Sequence, residues 1–184
     1  MYLISIYFDE KTDRRIRGYM EKIAAKTGNG FMVDNHVPPH ITVAAIETKH
    51  ADMVMERMEK AALCAGSIQF VSVGSFVPQV LYLEPVLNRY LHELSEKITE
   101  LVGELPETKL SPYYQPFGWL PHCTLGKQLD KEQMLEAFGV IQNSFAPFEG
   151  KVTRIGLAET NPHRDIKVWG MEHTILNDDY LDDY

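Results

Sequence analysis

Two short stretches carry residues whose types and spacing could do chemistry. Pro38-Pro39-His40-Ile41-Thr42-Val43 and Leu120-Pro121-His122-Cys123-Thr124-Leu125 both read Pro-His-x-Thr followed by an aliphatic residue. Their histidines lie 122 − 40 = 82 positions apart. From composition alone, such a tetrapeptide should occur about 0.02 times in a chain of this size. One copy is an ordinary strand-start histidine; two copies ask for a joint use. Ile41 to Val43 and Cys123 to Leu125 read as strands, with the prolines upstream where a strand may begin. Alternation of side chains then puts His40 beside Thr42 and His122 beside Thr124, each pair backed by apolar residues.

An unperturbed imidazole titrates at about pH 6.5, so one of two facing rings can be neutral while the other is protonated. That pair suits the opening of a phosphodiester. A base acts on the attacking oxygen and an acid on the leaving oxygen, each worth on the order of 10²–10⁴-fold. The hydroxyls of Thr42 and Thr124 can donate to the non-bridging oxygens as charge builds there. The scheme requires no metal and no cofactor. His36 lies four residues before His40. A metal-dependent hydrolase using His36, His40 and His122 is the competing reading, weakened because neither motif has a carboxylate at ligand spacing.

Elements must position these residues. Residues 2–8 read as a buried strand, and Ile16, Tyr19, Met20, Ile23 and Ala24 recur at helical spacing up to Gly28. A loop over 31–37 leads into the first motif strand, 39–46. Met53 to Ala62 mark a second helix. Residues 67–77 and 79–84 form a hairpin, and Pro85 opens a third helix reaching Gly103. A long connection, 104–118, precedes the second motif strand, 121–127; loops of this length are often functional. Asp130 opens a fourth helix. Strands over 145–158 and 166–172 flank a turn at 160–165. Each half thus offers a motif strand, a helix and two strands, which predicts two similar α+β lobes across a cleft. Residues 1–176 form one bilobal domain in this reading, and 177–184 an acidic tail without chemistry.

Composition narrows the class. The 184 residues are 45% apolar and 24% charged, as in globular proteins. No apolar run approaches the about 20 residues of a membrane span, and the N-terminus lacks the basic lead of a signal peptide. Cys64 and Cys123 make neither a disulfide framework nor a zinc pattern, which fits a reducing cytoplasm. The net charge of −8 argues against long nucleic acid as partner and towards a nucleotide or short end. Tyr113, Tyr114, Phe117 and Trp119 before the second motif, and Tyr82 on the hairpin, could stack a base or simply pack the core. Cys123 reads as a small core residue. His163-Arg164 reads as a solvated turn, with an arginine that could reach phosphate. His50, His92 and His173 read as surface or core positions.

On the two His-x-Thr motifs and their separation, the chain resembles the 2H phosphoesterase superfamily, and within it the 2′-5′ RNA ligase-like and cyclic phosphodiesterase branch. His40 and Thr42 match its first motif, His122 and Thr124 its second. Lys127 sits where many relatives carry a basic residue near the phosphate; Val43-Ala44-Ala45 offers no equivalent. The resemblance implies an α+β bilobal fold with two pseudo-twofold-related antiparallel sheets, outer helices and a central cleft. It also implies metal-independent action on 2′,3′-cyclic phosphates or 2′,5′ linkages of nucleotides and short RNA ends. For cyclic-phosphate hydrolysis the assignment is His122 as base on water and His40 as acid, with the reverse left open by the near symmetry. A non-catalytic nucleotide-binding module of the same fold is the alternative.

Overall fold

The computed structural model describes residues 1–160 and 163–172. The expected acidic tail, His173, and Asn161 and Pro162 of the expected turn lie outside the described residues. The element order is β1 (Tyr2–Phe8), α1 (Glu10–Thr27), α2 (Phe31–Asp34), β2 (His40–Glu47), α3 (Ala51–Lys60), β3 (Gly66–Phe76) and β4 (Val80–Pro85). Then follow α4 (Arg89–Gly103), β5 (Lys109–Leu110), a 3₁₀ turn (Pro112–Tyr114), β6 (Cys123–Gly126), α5 (Lys131–Ser144), β7 (Phe148–Glu159) and β8 (Arg164–Gly170).

Local chemistry sets the helix ends. The Asp9 carboxylate accepts from the Thr12 amide at 3.0 Å, capping α1, and Gly28 closes it at φ 69°, where a side chain would be strained. Asp130 and Gln133 form a reciprocal capping box on α5. The third helix departs from expectation. Pro85 ends β4, paired opposite Phe70, and Asn88 caps α4 by accepting from the Leu91 amide at 3.0 Å. A proline can close an edge of a ladder as readily as open a helix. Residues 31–34 form a short helix where a loop was expected.

Among the described residues these strands all pair antiparallel, in the order β5-β2-β1-β7-β3-β4-β6, with β8 also on β7. The two expected sheets are therefore hydrogen-bonded into one. The join is an exchange. β7, from the second half of the chain, lies along β1 over Val152–Glu159; the β3–β4 hairpin, from the first half, lies along β6 through β4. The two meet where Gly66–Phe70 pairs with Phe148–Val152. Neither half completes its own sheet, so the halves fold together. Helices cover the sheet, with α1 packed on α5 and β6, and α4 on β2, β3 and α3. The core includes Ile4, Ile6, Phe8, Ile16, Ile41, Val43, Phe70, Leu81 and Leu83, all buried. No helix among the described residues is long and apolar enough to cross a membrane.

Candidate active site

The alternation expected at both motifs is present. Ile41, Val43, Cys123 and Leu125 face the core at 0–1% exposure, while His40, Thr42, His122 and Thr124 face a common cleft. Ladder register aims them there. His40 opens β2 opposite Tyr7 and Thr42 lies opposite Ser5; Thr124 lies opposite Tyr82 on β4. The thiol of Cys123 meets the His40 backbone, so the motif strands pass directly against each other. Burial pushes that thiol up to about 12, which suits a core residue and not a nucleophile. The cleft has a volume of about 300 Å³.

The two copies use the same local device. His40 Nδ1–H donates to the Pro38 carbonyl at 2.7 Å, and His122 Nδ1–H donates to the Leu120 carbonyl at 2.9 Å. A carbonyl only accepts, so the proton is on Nδ1 in both neutral rings. The intervening residue is a proline each time, Pro39 and Pro121, whose fixed φ helps hold the carbonyl two residues back against the ring. Both Nε2 atoms are thereby left with a lone pair for proton transfer.

Electrostatics separates the pair. His40 is lowered from 6.5 to about 4, first by burial, then by the neighbouring His163 and His122, against an opposing bond to Pro38. His122 is lowered too, by burial, with its bond to Leu120 opposing. Both rings are therefore neutral near pH 7. The Thr42 hydroxyl lies 3.3 Å from the Ser5 hydroxyl, a contact that limits its rotamers.

The remaining expected site residues divide. Tyr114 and Lys127 line the cleft, with Lys127 Nζ 5.5 Å from the centre of the Phe31 ring. Tyr82 does not line it. Its ring sits behind His122 at 5.3 Å and against Phe76 at 4.6 Å. It lies so close over Gly74 that a Cβ there would come within 2.5 Å. Trp119 is only 6% exposed and is part of the core, so it too is absent from the cleft wall. Tyr113 and Phe117 point outward, Phe117 resting on His92 at 4.2 Å. His36 turns away into a separate groove with Arg17 and Glu21, and does not join His40. Among the described residues, no group of three His, Cys, Asp or Glu is placed to hold a metal ion.

The reading of residues 163 and 164 as a solvated turn is corrected. Arg164 is exposed and paired with Glu159, but the His163 side chain is 7% exposed and lines the cleft. Its ring lies 4.3 Å from that of His40 at 30°. Its Nε2 is 2.9 Å from Asp165 Oδ1, to which the Tyr7 hydroxyl also donates at 2.5 Å. Phe31 and Phe76, also unanticipated, add apolar wall.

The model of the 2′-5′ RNA ligase superfamily matches residues 12–164, which include both motifs. The fold is similar to a crystal structure of a phosphoesterase at 14% identity and TM-score 0.59, covering 94% of this chain and 98% of that one. It is similar to E. coli LigT complexed with 3′-AMP at 13% identity and TM-score 0.58, covering 94% and 98%. The same protein complexed with ATP gives 13% identity and TM-score 0.57 over 94% and 97%. No curated protein sequence matches. With the family model spanning most of the chain and both His-x-Thr pairs opening on one cleft, the chain belongs to the 2′-5′ RNA ligase superfamily, within the 2H phosphoesterases.

Proposed function

We propose that the protein is a metal-independent phosphodiesterase acting on 2′,3′-cyclic phosphates or 2′,5′ linkages of nucleotides and short RNA ends. One observation carries this reading: both imidazoles present Nε2, and both hydroxyls accompany them, at a single cleft. Nucleotides are bound by LigT in its complexes with 3′-AMP and ATP, which supports a nucleotide here. Thr42 and Thr124 donate to the non-bridging oxygens, and Lys127 at the cleft wall offsets their charge. A phosphate between the rings favours a proton on the pair. His40 is the acid, because burial makes its imidazolium the readier donor; His122 acts as the base on water.

The test is turnover of 2′,3′-cyclic nucleotides and 2′,5′-linked dinucleotides in excess chelator. Undiminished turnover under chelation is expected; loss that returns with added metal overturns the mechanism. The same assay reads pH. The active free enzyme carries one proton on the pair, and both rings release it below 6.5. The kcat/KM profile is therefore expected to peak on the acid side of 6.5 and to fall as pH rises. A maximum on the alkaline side would contradict it.

A further inference from the structure

The cleft holds a third histidine that the two-motif scheme does not use. The His163 side chain is 7% exposed, lies 4.3 Å from the His40 ring, and is tethered through Nε2 to Asp165 Oδ1, the same oxygen that accepts from the Tyr7 hydroxyl. Tyr7 is itself opposite His40 in the ladder, so β1 supports both ends of the arrangement. Burial and the Asp165 carboxylate raise the Tyr7 phenol, which keeps it a donor. Burial pushes Asp165 up, but the bonds from His163 and Tyr7 outweigh it and leave a carboxylate lowered overall. A carboxylate can only accept, so His163 Nε2 carries the proton of that bond. His163 Nδ1 is buried with no hydrogen-bond partner among the described residues. A ring fixed at one nitrogen by a carboxylate, packed against a reacting imidazole at a 30° tilt, is built to hold that imidazole and tune it.

The geometry points to His163 as a positioning residue for His40, held by Asp165 and Tyr7, that fixes the His40 ring and sets its strength as proton donor. This rests on the phosphodiesterase reading for its catalytic meaning, but not for its physical test. The titratable groups facing His40 are His163 and Asp165 at the head of β8, His122 from the other motif, and Tyr7 from β1. Arg154 of β7 lies 5.9 Å from the centre of the Tyr7 ring. Two of these groups act on His40 in opposite directions. His163 disfavours a proton on His40, whereas the Asp165 charge favours one. Substituting each therefore gives a test by sign.

Histidine titrations followed by NMR, without substrate, read this directly. H163F keeps a flat ring against His40 and removes the imidazole; His40 is expected to titrate higher, towards 6.5. D165N leaves His163 in place and removes the charge; His40 is expected to titrate no higher than in the native protein. A merely structural role would not produce opposite signs. In turnover, H163F is expected to lower kcat on the order of tenfold for oxygen leaving groups, with KM little changed. A thiolate leaving group, which needs no proton, is expected to erase most of that loss. An unmoved His40 titration in H163F, or a rise in both variants, overturns the assignment. Normal titration shifts with no phosphodiesterase turnover, even in the native protein, would instead count against the function proposed above and leave the positioning role standing.

Discussion

Replacing either His40 or His122 with alanine is expected to lower turnover of a 2′,3′-cyclic nucleotide on the order of 10²–10⁴-fold. The double variant is expected to lose far less than the product of the two, because acid and base serve one transition state. Neither ring is a main support of the fold. Both stand at the cleft, while Ile41, Val43, Cys123 and Leu125 anchor the strands. Melting temperatures close to native should accompany the loss of rate, and nucleotide binding should survive it. The two variants should also differ. If His40 protonates the leaving oxygen, H40A recovers on a substrate with a sulfur leaving group and H122A does not. Recovery of H122A alone would exchange the roles. Full native rate in both variants would remove the acid-base mechanism and leave the cleft as a nucleotide-binding site.

Pro-His-x-Thr was legible because its information is local. Two residues of alternation decide which face the histidine and threonine share, and the preceding proline helps place the carbonyl that fixes Nδ1. The chain order of elements was legible for the same reason, since caps and periodicity act within a few residues. The exchange of the β3–β4 hairpin and β7 between halves was not, because it depends on which strands pair across long separations. His163 was missed for a related cause. Between Thr160 and Asp165 the polar sequence reads as a turn, and only the β7–β8 ladder brings its histidine onto His40. A signal was nevertheless available: His163 and Asp165 are two apart at a strand start, the same spacing that pairs each motif histidine with its threonine. Tyr82 and Trp119 failed as cleft residues because aromatic character does not distinguish stacking on a ligand from packing behind a wall.

Phe70→Ala is expected to cost about 3–5 kcal/mol of folding stability, among the largest effects of any single truncation in this chain. Phe70 stands where the sheet passes from one half to the other: it pairs with Phe148 on β7 and with Pro85 on β4. Its ring is fully buried, edge-on to Phe8 at 5.7 Å and 4.9 Å from Phe148. Gly150 leaves it room, since a Cβ there would come within 2.9 Å of the ring. Three strands meet at this side chain, so collapse into the cavity would need all three to shift. Urea unfolding provides the measure, with an unchanged slope required for the comparison. Val71, the next residue and 44% exposed, supplies the control; its alanine variant should stay within about 0.5 kcal/mol of native. A loss below about 1 kcal/mol for Phe70→Ala would mean that the joint is not held by this packing. The consequence reaches the cleft. β2 and β6 sit at opposite parts of the ladder and meet only because the sheet between them keeps its curvature. Slack at Phe70 should therefore misalign His40 against His122, and a displacement of about 1 Å can cost on the order of 10²-fold in rate. Folded Phe70→Ala protein is expected to show kcat falling more than KM rises, which separates a loosened joint from a damaged binding wall.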